Sequence, residues 1–155
     1  MRIALSSDHR GTSAIRQLHE KLRHEGHDAF LVGDCSGATA CDYPERAYEV
    51  GKMVANKTAD LGILVCGTGI GMSIAANKVP GVRAAVCHDE LTAQLARSHN
   101  DANVLCLSAD LLGQRLIEKI TESWLNAKFE GGRHLRRLHK IAAMEAGRDP
   151  ATVTD

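Results

Sequence analysis

Aromatic side chains are scarce, with one Trp, two Tyr and two Phe in 155 residues. A surface that stacks bases needs such rings, so their scarcity argues against a single-stranded nucleic-acid binder. Neither sign of charge is in excess, since nineteen Lys and Arg balance nineteen Asp and Glu. No global field then draws the chain to nucleic acid or to an anionic membrane, and any bound anion has to be held by a local cluster. Long apolar runs are also missing. No stretch approaches the roughly 18 apolar residues of a membrane span, and Met1, Arg2, Ile3, Ala4 and Leu5 lead straight into a strand-like segment, so a cytoplasmic protein is expected. Proline is rare, and no Pro-rich linker divides the chain. The cysteines Cys35, Cys41, Cys66, Cys87 and Cys106 are odd in number, scattered and without a CxxC pair, so neither a disulfide framework nor a structural zinc site is expected. A small-molecule site remains as the default.

What is present is an alternation. Short apolar, β-rich runs at residues 3–5, 29–32, 61–66, 83–87 and 103–107 predict five strands, and amphipathic stretches fill the gaps. Ile15, Leu18 and Leu22 share one helical face, and Gly26 ends that helix. Pro44 opens a second helix that continues through residues 47–55. The next run, 61–66, is almost wholly apolar, as expected of a strand covered on both faces. The pattern predicts an α/β fold: a single Rossmann-like (flavodoxin-like) three-layer αβα sandwich around a five-stranded parallel sheet. One domain over residues 1–147 and a loose polar tail over 148–155 are expected. A basic helix is predicted over residues 130–144, with Leu135, Leu138 and Ile141 as an apolar stripe suited to docking on a second subunit.

In such a sheet ligands bind at the carboxyl ends of the strands. That rule selects residues 6–9, 66–71, 88–89 and 108–110. The most specific feature among them is Cys66, Gly67, Thr68, Gly69, Ile70, Gly71, where a buried strand turns into a helix predicted to begin near Met72. Alternating glycines there let backbone N–H groups converge on an anion or a developing oxyanion, with a tight structural turn as the competing reading. It is neither GxGxxG nor a phosphate loop ending in Gly-Lys-Ser/Thr. Cys66 can serve as base or nucleophile, or simply as the last buried residue of its strand. Cys87 and Cys106 read as packing residues. Asp8 and His9 supply an acid and a base after the first strand, although Asp8 or Thr12 can instead cap a helix. His99 and Asn100 close the fourth helix. Arg133 and Arg137 lie one turn apart beside His134, two guanidinium groups suited to a phosphate or to a solvated basic face. No metal-ligand cluster is visible in the spacing, and no cofactor is expected.

The order of these motifs carries a resemblance. Ser7, Asp8 and His9; Asp42, Tyr43 and Pro44; the Cys66 to Gly71 loop; Ile74, Ala75, Ala76, Asn77 and Lys78; Gly81, Val82, Arg83 and Ala84; His99, Asn100, Asp101, Ala102, Asn103 and Val104; and Glu130, Gly131, Gly132, Arg133 and His134 together closely resemble the ribose-5-phosphate isomerase B and galactose-6-phosphate isomerase family, over residues 1 to about 141. The resemblance implies a metal-independent aldose-ketose isomerase of sugar phosphates, acting on ribose 5-phosphate and ribulose 5-phosphate through an enediolate. It implies a homodimer, or a tetramer built from it, with the active site shared between subunits. Cys66 would be the base, with Thr68 and the amides of Gly67, Gly69 and Gly71 holding the enediolate oxygen. His99 of the second subunit would open the sugar ring, with Asp8 near the ring oxygens. Arg133 and Arg137, with His9 and His134, would bind phosphate, and Tyr43 and Asn100 would line the sugar pocket.

Some members use a Glu in the glycine loop as base; Met72 stands there, which points to the cysteine subclass. Asp110 stands where many relatives carry an Arg that helps bind phosphate. It implies either that Asp110 points elsewhere and Arg10 or another cation compensates, or that the preferred sugar phosphate lies differently from ribose 5-phosphate, as a four- or six-carbon one would. Readings from other classes are a flavodoxin-like small-molecule-binding module, which predicts bound flavin or nucleotide, and an acyl or phosphoryl transferase with Cys66 as nucleophile.

Overall fold

The computed structural model describes residues 1–33 and 41–154. The five predicted strands are present as β1 (Arg2–Ser7), β2 (Asp28–Leu31), β3 (Leu61–Cys66), β4 (Ala84–Val86) and β5 (Val104–Ser108). All pairings are parallel, in the order β2-β1-β3-β5-β4. This departs from the flavodoxin order 2-1-3-4-5 only at the last two positions. Among the described residues six α-helices accompany them: α1 (Thr12–His24), α2 (Tyr43–Ala55), α3 (Ile70–Ala76), α4 (Glu90–Asn100), α5 (Gln114–Asn126) and α6 (Arg133–Glu145).

Alternation along the strands divides the interior into two cores. Ile3, Leu5, Ile63, Val65, Leu105 and Leu107 face α1, α4 and α5, around the fully buried Trp124. Ala4, Leu64, Cys66, Val104 and Cys106 face α2 and α3, against Val50, Val54 and Met72. A strand buried on both faces has no polar side to spare, which is why 61–66 reads as an unbroken apolar run. Gly62 lets α2 approach that strand closely: a Cβ there would lie 2.6 Å from Val50 Cγ1 and 3.2 Å from Val104 Cγ2. Gly62→Ala is therefore expected to overpack this core and cost about 1–3 kcal/mol, read as a lower midpoint in thermal or urea unfolding.

Four local expectations need correction. The helix after the glycine loop begins at Ile70 instead of near Met72, because Gly69 takes a left-handed φ of 79° and turns the chain into the helix at once. The last helix begins at Arg133, since Gly131 and Gly132 both have positive φ and hold the preceding residues out of it. Cys41 is disulfide-bonded, against the expectation of no disulfide; scatter along the sequence does not reveal which backbone segments approach within bridging distance. Cys35 lies outside the described residues. The tail is not wholly loose: Pro150–Thr152 forms a 3₁₀ turn capped by Asp149, and Lys140 Nζ donates to the Pro150 carbonyl at 3.1 Å. Among the described residues no helix is long and apolar enough to cross a membrane.

Candidate active site

Two groups of predicted site residues form, at opposite ends of the sheet. The first gathers at the carboxyl ends of β1 and β3. Cys66 is buried, and its Sγ accepts a hydrogen bond from the Gly69 N–H at 3.1 Å. The intervening turn fits because Gly69 adopts the left-handed φ and lies against β5, where a Cβ would come 3.2 Å from the Leu107 backbone. A Cβ on Gly71 would come 2.6 Å from Tyr43 Cζ, so the Tyr43 ring rests on the loop. Thr68 is exposed, and its Oγ1 accepts from the Ile70 N–H at 3.3 Å. The loop is tied to β5: Ser108 Oγ donates to the Gly67 carbonyl at 2.6 Å, and the Ala109 N–H to the Cys66 carbonyl at 2.9 Å.

Asp8 is buried beside this loop. Its N–H donates to the Val65 carbonyl at 3.2 Å, and its Oδ1 accepts from the N–H groups of Arg10 and Gly11 at 2.9 and 3.2 Å. Neither Asp8 nor Thr12 caps α1, whose N-cap position is held by Gly11 with no side-chain cap bond; the Asp8 carboxylate instead ties down the turn before the helix, and those bonds fix where it stands. His9 is exposed next to it. Arg10 reaches over to Asp110 after β5, with Nη2 and Oδ2 2.7 Å apart, so Asp110 is neutralised within the chain. Burial pushes the Cys87 thiol up to about 11 and the Cys106 thiol well above the usual range, in keeping with packing roles for both.

The second group lies at the other end. In a parallel sheet the intervening helices run back, so α4 delivers His99 and Asn100 to the end where β5 begins. Cys66 pairs with Ser108 at the end where β5 finishes. The five residues of β5 put the two groups roughly 16 Å apart along the strand. His99 stacks on His134 of α6 with ring centroids 4.1 Å apart and an interplanar angle of 11°. Glu130 Oε2 lies 3.8 Å from His99 Nε2 and 3.6 Å from His134 Nε2. Arg133 and Arg137 project from the same helix and are exposed.

Burial, with the neighbouring His99 and Arg133, lowers the His134 pKa below the ordinary histidine value, while Glu130 opposes this. The neutral ring also matches Nε2 as acceptor of the Arg133 Nε–H at 3.4 Å. Because the folded pKa lies below the unfolded one, His134 favours the fold above the ordinary histidine range, and this support is lost as pH falls through the folded value. An NMR titration is expected to show His134 still neutral below pH 6.5, and replacement by Gln should flatten the acid side of the stability profile.

His99, Glu130 and His134 offer ligand atoms within 4.8 Å of one another, a trio that composition could assign to a metal. Nearly parallel stacked rings argue otherwise, since an ion in the plane of one imidazole lies outside the plane of the other and cannot meet both lone pairs.

Several supporting residues are not evident from chemistry-bearing motifs. Asp101 sits at φ 44°, held by Arg83 Nη2 at 2.8 Å and Arg97 Nη1 at 2.7 Å, and so fixes the backbone after His99 and Asn100. Asn77 pairs with the backbone of Ala84 through both side-chain atoms, at 2.8 and 2.9 Å. Glu130 places its carboxylate within 4 Å of Nε2 of both histidines. A lone Asp before a strand is the available sequence signal for the left-handed position; nothing local announces Glu130.

The family model described as Ribose/Galactose Isomerase matches residues 3–141. Ribose-5-phosphate isomerase B of Escherichia coli (strain K12) is 42% identical over 148 residues, covering 96% of this chain and 99% of that one. The structure of Clostridium thermocellum ribose-5-phosphate isomerase B is similar with a TM-score of 0.93 at 41% identity, over 95% of this chain and 99% of that one. That of the Mycoplasma genitalium enzyme, with bound ribulose-5-phosphate, is similar with a TM-score of 0.90 at 43% identity, over 93% and 95%.

Proposed function

The chain belongs to the ribose/galactose isomerase family, and on that premise we propose that it interconverts ribose 5-phosphate and ribulose 5-phosphate, with Cys66 moving a proton between C1 and C2 through an enediolate. The observation that carries this reading is the turn at the end of β3, where the buried Cys66 sulfur accepts the Gly69 N–H at the carboxyl end of the strand, the end at which such sheets bind ligands. A proton on carbon beside a carbonyl is weakly acidic, so its removal needs a positioned base and donors at the oxygen that gains charge. Cys66 is the base. The Gly69 amide is committed to its Sγ, which leaves Thr68 and the amides of Gly67 and Gly71 for the enediolate oxygen. Asp8, fixed by the Arg10 and Gly11 amides that it accepts, stands near the ring oxygens, and Tyr43 walls the sugar.

The remaining roles belong to a second copy. One chain cannot bring His99, Asn100, Arg133, His134 and Arg137 to its own Cys66, because the sheet separates them. A dimer that sets the α4–α6 end of one subunit against the β1–β3 end of the other completes the site: His99 opens the ring, Asn100 lines the pocket, and Arg133, Arg137 and neutral His134 join His9 at the phosphate. Exposed apolar surface supports such docking. Ile141 and Met144 of α6 flank a groove of about 660 Å³ lined also by Val82, Ala84 and Ala102, and Ile74 and Leu135 are likewise exposed.

The test is conversion of ribose 5-phosphate by purified protein in EDTA, beside tetrose and hexose phosphates. Ribose 5-phosphate is expected to turn over. Asp110, paired with Arg10, favours one second reading: if another sugar phosphate is converted and ribose 5-phosphate poorly, the substrate changes and the chemistry stays. Absence of turnover with every sugar phosphate would overturn the reading.

A further inference from the structure

The Arg10–Asp110 pair spans the mouth of the glycine loop, joining the turn after β1 to the turn after β5 across β3. Arg10 Nε donates to both carboxylate oxygens, at 3.2 and 2.9 Å, and Nη2 lies 2.7 Å from Oδ2. The pair lies directly over Gly67, where a Cβ would come 2.8 Å from Asp110 Oδ2 and 3.1 Å from Arg10 Nε. Asp110 is anchored in turn, its N–H donating to the Gly67 carbonyl at 3.1 Å. The side edge of the guanidinium is thus occupied and its rotation about the side-chain axis is set. The end-on edge, Nη1 with the outer N–H of Nη2, makes no hydrogen bond or ion pair among the described residues, and the Arg10 side chain is 55% exposed.

From this geometry we infer that Arg10 is a further substrate-binding residue, which grips the substrate's phosphate through its end-on edge, and that Asp110 is the positioning residue that aims it. The inference rests on the sugar-phosphate reading of the same cleft. A guanidinium with one edge on a carboxylate keeps a second two-donor fork for a tetrahedral oxyanion, and a fixed fork gives up less freedom on binding than a loose side chain. Asp110 offsets the charge of Arg10, so the contact works by direction more than by long-range attraction. The residue after Cys66 is then where reacting carbons and a phosphate donor come closest within one subunit.

The probe is inorganic phosphate, as competitive inhibitor of sugar-phosphate turnover and by calorimetric titration, in the full-length wild type, Arg10→Met, Arg10→Lys, Asp110→Ala and the Met/Ala double variant. Arg10→Met is expected to weaken phosphate by about tenfold or more, as for loss of a charged hydrogen bond, and to raise KM more than it lowers kcat. Arg10→Lys should fall between, because a point charge lacks the fork. Asp110→Ala should weaken phosphate when Arg10 is present and add nothing in the double variant. Unchanged phosphate affinity in Arg10→Met, with the fold intact by circular dichroism, would overturn the proposal. So would tighter phosphate binding in Asp110→Ala, which would make Asp110 a repulsive group. If the wild type converts no sugar phosphate, the isomerase reading fails on that ground, and calorimetry on the same variants still decides the role of Arg10.

Discussion

Replacing Cys66 by alanine is expected to lower kcat for sugar-phosphate isomerisation by roughly 10² to 10⁴, the span that a positioned general base contributes. Cys66→Ser should be nearly as inactive, because a hydroxyl of similar size is far less acidic than a thiol and supplies almost no anionic form at neutral pH. The pair of variants separates chemistry from packing. Cys66 is buried at the end of β3 and accepts the Gly69 N–H, so Cys66→Ala leaves that donor without its partner and opens a small space, a cost of about 1–3 kcal/mol in stability. Such a change lowers the unfolding midpoint without touching kcat at a temperature where the variant is folded. The decisive measurement is therefore kcat at a temperature well below both midpoints. A kcat within threefold of wild type in Cys66→Ala would place the base elsewhere. In deuterated water the wild type should also return ribulose 5-phosphate carrying deuterium at C1, since a proton held by sulfur exchanges with solvent; product free of deuterium would point to direct transfer between the carbons.

Much of this arrangement is legible in the sequence because it is written in periods and in strand ends. The unbroken apolar run at 61–66 announces a strand buried on both faces, and β3 occupies those residues. Ile15, Leu18 and Leu22 announce the buried face of α1, and they are its buried residues. The glycine loop is legible as a turn at a strand end, and each of its glycines has a close neighbour where a Cβ would stand: the Arg10–Asp110 pair at Gly67, the β5 backbone at Gly69, which also has a positive φ, and the Tyr43 ring at Gly71. What periodicity does not carry is contact at long sequence separation. Arg10 and Asp110 meet across 100 positions, the edge order of β4 and β5 depends on which strand pairs with β3, and the His99–His134 stack joins two helices with β5 and α5 between them in the chain. Nor does spacing reveal that Glu130 comes near both rings, because Gly131 and Gly132, both at positive φ, hold it out of the helix that carries His134, and His99 comes from α4.

One spatial consequence does follow from the order of elements alone. Cys66 ends a strand and His99 comes at the end of a helix, and in a parallel sheet with returning helices those ends lie on opposite sides. If both act on one sugar, they act from different chains, which predicts complementation between two inactive variants. Cys66→Ala and His99→Asn are each expected to lose activity by roughly 10² or more, since each lacks one proton-transferring group at every site. Mixed under conditions that exchange subunits, they should regain about a quarter of the wild-type rate: about half of the dimers are hybrid, and one of the two equivalent sites in each hybrid joins an intact Cys66 to an intact His99. The hybrid fraction is measured by native mass spectrometry with differently tagged chains, so recovery can be scaled to it. Recovery in proportion to the hybrids would require the shared site. Hybrids that form without recovery would show that His99 acts within its own chain or not at all, and the stacked His99–His134 pair would then serve the fold of α4 on α6 and not the reaction.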